Sequence, residues 1–237
     1  MAKDCIILAG GFGTRLSTVV SDRPKCLAPI AGQPFLAYLL QYLQQFDIGK
    51  VVLSLGYKAE MVIDWIAPLR EQYPFAIEWV VETEPLGTGG AIQLALQQTT
   101  TDDVVIINGD SFYQANIAEL LAFHEQKTAD LTLSLKPMQH YDRYGTVEIN
   151  ENGRITTFHE KQFTEQGLIN GGVYVLYKPA LLNLGFPAKF SFEQDFMEKQ
   201  LTGTDMYGYT SNGYFIDIGV PEDFARANTE LPALIKM

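Results

Sequence analysis

The first half of the chain alternates short apolar runs with stretches of helical periodicity, and this alternation constrains the fold more than any other feature. Strands are predicted at Cys5–Ala9, Lys50–Gly56, Ala76–Glu82 and Asp102–Asp110. Apolar residues between them recur at helical spacing, for example at Pro34–Phe46. Strands that are apolar along their whole length must be covered on both faces, which is typical of a parallel sheet between two layers of helices. The sequence therefore predicts an α/β fold.

The second half of the chain changes to β-rich segments. The segments ADLTLSLK, GTVEIN, GRITTFHEK and LINGGVYVLY are typical of strands, and NENG is typical of a hairpin turn between two of them. Helical signals return at Ser191–Leu201 and Pro221–Asn228, and no linker or low-complexity run separates the halves. We therefore predict one domain over residues 1–237, with a nucleotide-binding half at 1–115 and a mixed-sheet half at 116–237.

The charge and the cysteine content exclude several classes of protein. The net charge of −11 argues against a nucleic-acid-binding surface, which needs a basic footprint. The chain shows no basic leader before an apolar segment and no apolar run of the roughly 18 residues that a membrane span needs. Its two cysteines match neither a disulfide framework nor metal-ligand spacing. We therefore expect a cytoplasmic protein without membrane or nucleic-acid partners.

A glycine-rich loop that carries two cations follows the first predicted strand. In ILAGGFGTRLSTVVSDRPKCLAP, the residues Gly10, Gly11 and Gly13 allow backbone N–H groups to approach an anion closely. The spacing matches neither G-x-x-x-x-G-K-[ST] nor G-x-G-x-x-G, so a simple tight turn between strand and helix stays an alternative. Arg15 favours the anion site because its planar guanidinium suits a phosphate chain, and Lys25 is a candidate second phosphate contact.

A second glycine-rich segment, EPLGTGGA at Glu84–Ala91, again lies between a predicted strand and a predicted helix. One interpretation is an N-cap turn with Thr88 as the cap. The other is that Gly87 and its neighbouring glycines leave room for a flat base, whose edge Glu82 and backbone groups would contact. Ligands of open α/β sheets bind beyond the carboxyl ends of the strands, so two such loops at one edge favour a ligand site there.

Two aspartates are candidate metal ligands. Asp110 follows the fourth predicted strand in INGD, where a turn or cap role is the ordinary alternative. Asp217 lies inside FIDIG, where an ionised carboxylate is costly to bury without a partner. A shared Mg²⁺ would remove that cost, because Mg²⁺ is usually held by one or two carboxylates together with substrate phosphates and waters.

Polar residues of the second half form a candidate polyol site. Glu160 and Asn170 could hydrogen-bond sugar hydroxyls, Gly171 adds open backbone, and Lys161 could contact an attached phosphate. Plain surface charge is the alternative for Glu160 and Lys161.

Other residue types point away from hydrolytic chemistry. His124, His140 and His159 have no ligand spacing and no triad companions, so surface positions are expected for them. No G-x-S-x-G motif supports an acyl-enzyme hydrolase. Cys26 is interpreted as a packing residue.

Taken together, the motifs LAGGFGTRL, RPKCLAP, EPLGTGGA, NGD, YG, EK, NGG and DIGVPED resemble the sugar-phosphate nucleotidyltransferases, in that family's order over nearly the whole chain. The resemblance implies a Rossmann-like three-layer fold with a mixed, mainly parallel central sheet. The chain ends 20 residues after Asp217, so no β-helix domain is expected. The implied reaction joins a nucleoside triphosphate to a sugar 1-phosphate and releases pyrophosphate and a nucleotide sugar.

The resemblance also implies a role for each candidate residue. The catalytic positions are Arg15, Lys25 and Asp110. The nucleotide-binding positions are Leu8, Ala9, Gly10, Gly11, Gly13, Thr14, Arg15, Glu82, Gly87, Thr88 and Asp110. The sugar-phosphate-binding positions are Gly145, Glu160, Lys161, Asn170 and Gly171, which makes 116–237 the sugar-phosphate half. Asp110 and Asp217 match the ligands of a Mg²⁺ cofactor.

Within the family, TVVSDRPKCLAPIAGQPFLAYLLQYL and VVETEPLGTGGAI are most similar to the heptose 1-phosphate guanylyltransferases. That similarity implies GTP and D-glycero-α-D-manno-heptose 1-phosphate as substrates, and nucleotide-sugar biosynthesis for lipopolysaccharide or an S-layer glycan. Enzymes for mannose, glucose or N-acetylmuramate 1-phosphate share the same core motifs.

Two other classes of function are alternatives. A non-catalytic nucleotide-sugar-binding regulatory subunit would be expected to lack Arg15, Lys25 or an aspartate, and the chain retains them. A nicotinamide-dependent oxidoreductase would need G-x-G-x-x-G, which is not found. A homo-oligomer stays open.

Overall fold

The structure is a computed structural model, and it describes residues 1–11 and 22–235. Within these ranges the strands are β1 (Lys3–Leu8), β2 (Pro29–Ile30), β3 (Gln33–Pro34), β4 (Ile48–Leu55), β5 (Ala76–Val81), β6 (Asp103–Asn108), β7 (Ser111–Tyr113), β8 (Leu131–Tyr141), β9 (Thr146–Ile149), β10 (Ile155–His159), β11 (Thr164–Tyr177), β12 (Met206–Thr210) and β13 (Phe215–Asp217). The α-helices are α1 (Phe35–Leu43), α2 (Ala59–Ile66), α3 (Gly87–Ala95), α4 (Ile117–Lys127), α5 (Lys178–Leu182) and α6 (Pro221–Leu234). A π-helix spans Phe192–Glu198.

Strands from both halves of the chain form one mixed sheet. Among the described residues it has nine strands, in which β10, β9, β11, β6, β1, β4 and β5 lie in that order. The strands β6, β1, β4 and β5 run parallel, whereas β11 runs antiparallel to β6 and also pairs with β8, which carries β12. The α/β fold with a mixed central sheet is therefore confirmed, while the functional division at residue 115 stays a prediction.

The core lies on both faces of this sheet. Along β1, Cys5 and Ile7 belong to one apolar cluster, which includes α1, and Ile6 belongs to the other, which includes α3 and the π-helix. All three side chains are fully buried. Burial of one large aliphatic side chain contributes roughly 1.5–3 kcal/mol, so the apolar run Cys5–Leu8 of β1 stabilises both layers at once.

Three strands end at one edge of the sheet and position the loops that follow them. The register pairs Ile6 with Val52 of β4 and with Ile106 of β6. Leu8 and Asn108, the last residues of β1 and β6, therefore lie side by side at the carboxyl ends of these strands. Ligand sites of open α/β sheets form at this edge.

A short two-stranded ladder, which the sequence did not predict, joins a distant segment to that edge. β7 and β13 pair antiparallel, with Ser111 opposite Asp217. The Ile218 N–H also donates to the Asp110 carbonyl oxygen at 3.1 Å. This ladder brings the two candidate metal ligands together across more than a hundred residues of sequence.

Proline follows the end of one helix and is tolerated within another. α2 ends at Ile66, and a separate 3₁₀ turn follows at Arg70–Gln72, because Pro68 has no N–H to continue the helix. The helix predicted from Pro221 to Asn228 extends to Leu234 and tolerates Pro232 within it. In the described residues no helix is long and apolar enough to cross a membrane.

The expected surface position of His124 is wrong. His124 is 2% exposed, and its Nδ1 atom lies 2.9 Å from Thr132 Oγ1. Its Nε2 atom lies 3.6 Å from a carboxylate oxygen of Asp103. Burial lowers the pKa of His124, and the Asp103 carboxylate only partly opposes that shift. His140 is exposed, as expected, and lies near the end of β8 with a φ of 51°.

The buried imidazole predicts a pH dependence of stability. The pKa of His124 is lower in the folded protein than in the unfolded chain, so its contribution is present above pH about 6.5 and is lost as the pH falls through the folded pKa. Between pH 7.5 and 5.5, urea denaturation should show the free energy of unfolding falling by up to about 1.4 kcal/mol per pH unit from this residue.

His124→Gln should remove that part of the slope, whereas His140→Asn, at an exposed position, should keep it. Equal slopes for the wild type and His124→Gln would contradict the assignment.

Candidate active site

The described part of the glycine-rich loop approaches two neighbouring segments closely. A Cβ atom on Gly10 would lie 2.8 Å from Glu82 Oε1 and 3.1 Å from the Gly56 nitrogen, so a larger residue would displace the Glu82 carboxylate and crowd the Gly56 backbone. Ala9 is buried and donates its N–H to the Ser54 carbonyl oxygen at 2.8 Å. Of the other residues predicted in this loop, Gly13, Thr14 and Arg15 lie outside the described residues.

Lys25 lies between the two candidate metal ligands. Its Nζ atom is 2.7 Å from Asp110 Oδ2 and 3.8 Å from Asp217 Oδ1. Only 14% of the Lys25 side chain is exposed, compared with 46% for Asp110 and 25% for Asp217. The three groups therefore form one partly buried charge cluster, and Asp110 is its most accessible member.

The geometry of the carboxylate pair fits a divalent cation that also contacts a substrate. Both side chains offer hard oxygen donors to the same region, and Asp217 Oδ1 accepts a 2.7 Å hydrogen bond from the Gly219 N–H. A Cβ atom on Gly219 would lie 2.7 Å from Asp217 Oδ1 and 2.8 Å from Lys25 Nζ, so a larger residue would displace the ends of these two side chains. Within residues 1–11 and 22–235 no group of three or more His, Cys, Asp or Glu could hold a metal ion by itself.

The buried thiol next to Lys25 is a packing group, as interpreted from the sequence. Cys26 is 2% exposed, and burial raises the pKa of its thiol to about 12. At neutral pH the thiol is therefore protonated and unreactive.

A cavity of about 310 Å³ opens beyond the carboxyl ends of β1 and β6. Seven of the predicted nucleotide-binding residues line it, namely Leu8, Gly10, Gly11, Glu82, Gly87, Thr88 and Asp110. Glu82 is held in place because its Oε2 atom accepts a 3.0 Å hydrogen bond from the Leu86 N–H. We refer to this space as the nucleotide cavity.

The glycines of α3 serve mainly to let another segment pack onto the helix. A Cβ atom on Gly89 would lie 2.2 Å from the ring of Phe190, and one on Gly90 would lie 2.1 Å from the Ala188 carbonyl oxygen. Gly87, with a φ of 72°, lines the cavity but also lies against the Phe190 carbonyl. Of the three glycines, Gly87 alone lines the cavity, so a place beside a base stays a prediction for Gly87.

The N-cap alternative for Thr88 is wrong. α3 begins at Gly87 and has no side-chain cap. The Thr88 hydroxyl instead accepts a 2.9 Å hydrogen bond from the Phe192 N–H and donates to Glu193 Oε2 at 2.6 Å. It joins α3 to the start of the π-helix.

A second cavity, of about 260 Å³, lies beside the first. Four predicted sugar-phosphate-binding residues line it, namely Gly145, Glu160, Lys161 and Asn170. A Cβ atom on Gly145 would lie 2.5 Å from the His159 carbonyl oxygen, so only glycine fits. Tyr144 also lines the wall, and burial together with the Asp217 carboxylate raises the pKa of its phenol to about 12. We refer to this space as the sugar cavity.

Asn170 is held in place by its neighbours. Its Nδ2 atom donates to the Tyr174 hydroxyl at 2.9 Å, and its Oδ1 atom accepts from the Gly172 N–H at 3.0 Å. Gly171 differs from its predicted role, since a Cβ atom there would lie 2.2 Å from the ring of Tyr113 and the residue is not in the cavity wall. Its backbone position makes room for Tyr113.

Sequence reasoning missed the residues that connect the cavities. Asn108 and Glu193 line both of them. Asn108 belongs to the motif NGD, in which the sequence assigned a role to the aspartate alone. The sequence around Glu193 predicts a helical segment and no functional role for this residue.

Comparison with known proteins shows the family of the chain. The family model described as nucleotidyl transferase matches residues 4–233. The chain is 46% identical over 228 residues to a D-glycero-alpha-D-manno-heptose 1-phosphate guanylyltransferase of Aneurinibacillus thermoaerophilus, covering 96% of this chain and 98% of that one. An enzyme of the same name from Campylobacter jejuni is 40% identical, with coverage of 92% and 96%.

A solved structure has the same fold. HddC from Yersinia pseudotuberculosis is 35% identical and superposes with a TM-score of 0.86, over 95% of this chain and 98% of its own. A crystal structure of the same protein complexed with GMP-PN superposes with a TM-score of 0.85. Because the family model and these relatives span nearly the whole chain, the protein belongs to the nucleotidyl transferase family.

Proposed function

We propose that this protein is a Mg²⁺-dependent guanylyltransferase. It joins GTP to D-glycero-α-D-manno-heptose 1-phosphate and releases GDP-heptose and pyrophosphate. The names and near-complete coverage of the relatives from A. thermoaerophilus and C. jejuni support these substrates, as does the HddC complex with GMP-PN. Two buried free cysteines, Cys5 and Cys26, agree with a reducing cytoplasm.

One observation supports the reaction class more than any other: two adjacent cavities share a wall. The nucleotide cavity and the sugar cavity have Asn108 and Glu193 in common. The charge cluster of Lys25, Asp110 and Asp217 reaches the nucleotide cavity through Asp110. Two substrates bound side by side would thus meet next to a fixed cation, which suits a transfer between two phosphates.

The chemistry follows from the substrates. An oxygen of the sugar 1-phosphate attacks the α-phosphorus of GTP, the new P–O bond forms, and the bond to the β-phosphate oxygen breaks as pyrophosphate leaves. The second pKa of a phosphate monoester is about 6, so the attacking oxygen is mostly ionised near pH 7. No general base is needed, and catalysis depends on positioning and charge neutralisation.

The charge cluster supplies that neutralisation in the proposal. The Lys25 ammonium lies beside Asp110 and would offset negative charge that gathers around the α-phosphate. Asp110 and Asp217 would hold the Mg²⁺, which neutralises phosphate charge when bound. Arg15 is proposed to contact the triphosphate from the loop outside the described residues.

Glu82 is the proposed reader of guanine. Its carboxylate lines the nucleotide cavity beside Gly10 and Gly87. A carboxylate can accept from two adjacent N–H donors, and the edge of guanine presents such a pair at N1 and N2. In the sugar cavity, Glu160 and Asn170 would form hydrogen bonds with sugar hydroxyls, and Lys161 would contact the sugar phosphate.

Pyrophosphate release over a grid of nucleoside triphosphates and sugar 1-phosphates, with Mg²⁺, tests the function. We expect the highest kcat/KM for GTP with the heptose 1-phosphate, ahead of mannose, glucose and N-acetylmuramate 1-phosphates. Turnover with UTP or dTTP but not GTP would refute the guanylyl assignment. No release from any pair would refute the enzyme and favour a nucleotide-sugar-binding regulatory role.

Asp217→Asn tests the proposed metal site. The variant keeps the oxygen that accepts from the Gly219 N–H but loses the charge, so kcat should fall about 10²- to 10³-fold with little change in the melting temperature. Asp64→Asn, on the exposed face of α2, serves as the matched control and should keep wild-type activity. Activity of Asp217→Asn within a few-fold of wild type would remove Asp217 from the site.

A further inference from the structure

The carboxylate of Glu193 lies at the boundary of the two cavities and is half-buried. Its Oε2 atom accepts hydrogen bonds from Thr88 Oγ1 at 2.6 Å and from Ser191 Oγ at 3.1 Å. An ionised carboxylate has no proton to donate, so both hydroxyls point their hydrogens at it. The orientation of the Glu193 side chain is thereby set from two sides.

The second oxygen of this carboxylate, Oε1, is the candidate contact for a ligand. Within residues 1–11 and 22–235, the hydrogen bonds to Glu193 end on Oε2, and no lysine, arginine or histidine forms an ion pair with it. A negative group between two sites for phosphate-bearing substrates repels those phosphates. The group that fits Oε1 is therefore an uncharged donor such as a sugar hydroxyl.

The backbone that carries Glu193 is held rigidly against the nucleotide cavity. The Phe190 carbonyl oxygen accepts from the N–H groups of Gly89 at 3.1 Å and Gly90 at 3.4 Å. The Phe192 N–H donates to the Thr88 hydroxyl, and a π-helix, a form frequent at functional sites, begins at that residue. A site held in this way loses little conformational entropy when substrate binds.

We propose that Glu193 accepts a hydrogen bond from a ribose hydroxyl of the nucleotide and so selects ribonucleotides over deoxyribonucleotides. The inference rests on the proposed function for the identity of the ligand. Glu82, the proposed contact of the base, and Asp110, a proposed ligand of the Mg²⁺ beside the phosphates, line the nucleotide cavity together with Thr88 and Glu193. Because the ribose joins the base to the phosphates, we assign it to the wall that Thr88 and Glu193 form.

The test compares kcat/KM for GTP, 2′-deoxy-GTP and 3′-deoxy-GTP with the same sugar 1-phosphate. A deoxy analogue would leave the charged acceptor without its hydrogen-bond donor. We therefore expect the wild type to prefer GTP over at least one deoxy analogue by about 10- to 100-fold. Glu193→Ala should reduce that preference to within about 3-fold, and Glu193→Gln should give an intermediate value because an amide oxygen accepts more weakly. Glu151→Gln, at an exposed turn, controls for the lost charge and should keep the wild-type ratio.

Three results would overturn the proposal. They are no discrimination by the wild type, an unchanged ratio in an active Glu193→Ala, or an effect confined to the KM of the sugar 1-phosphate. Calorimetric binding of the same three nucleotides separates this proposal from the proposed function, since a wild type without turnover can still distinguish GTP from its deoxy analogues. Failure to bind any of the three would overturn the role of Glu193 as well.

Discussion

The rest of the site depends on one interaction, in which the ammonium of Lys25 lies between the carboxylates of Asp110 and Asp217. The chain has a net charge of −11, so any site for phosphates has to concentrate cations locally. Here one cation is held 2.7 Å from one carboxylate and 3.8 Å from the other. The ladder of β7 and β13 brings the two acids together, and Gly219 leaves room for Asp217 Oδ1 and Lys25 Nζ. The fold thus positions a cation at the proposed phosphate site before any substrate binds.

Close backbone approach is the second constraint, and it explains why glycine recurs around both cavities. Gly10 lies against Glu82, Gly145 against the His159 carbonyl, and Gly90 against the Ala188 carbonyl. At Gly145 and Gly90 the nearest atom is a backbone oxygen within 3 Å, so a Cβ atom would force the segments apart, whereas at Gly10 it is the end of the Glu82 side chain. The contacts hold the walls of the cavities in fixed relative positions, including the segment that carries Glu193. Positioning of this kind is what a phosphoryl-type transfer needs from its protein.

Local features of this fold and site could be predicted from sequence, and features created by tertiary packing could not. The apolar run of β1 predicts a buried parallel strand, and INGD and FIDIG single out Asp110 and Asp217 because a charge beside an apolar strand needs a partner. The role of Glu193 depends on the packing of the π-helix onto α3, and nothing in its neighbourhood of the sequence encodes that contact. His124 was misplaced for the same reason, since its burial depends on Asp103 and Thr132 from two other strands. The glycines of α3 were interpreted as room for a ligand, whereas most of that room is filled by Phe190 and Ala188.

The most direct test of the two-cavity account is a crystal structure of the protein with GDP-heptose and Mg²⁺ bound. The account predicts that the product spans both cavities, with guanine beside Glu82, the diphosphate beside Lys25 and Asp110, and the heptose beside Glu160 and Asn170. It also predicts that Glu193 lies beside the ribose and that Asn108 contacts the ligand where the two cavities meet. A product bound with its sugar or its base outside these cavities, or with its diphosphate away from Lys25, would contradict the account.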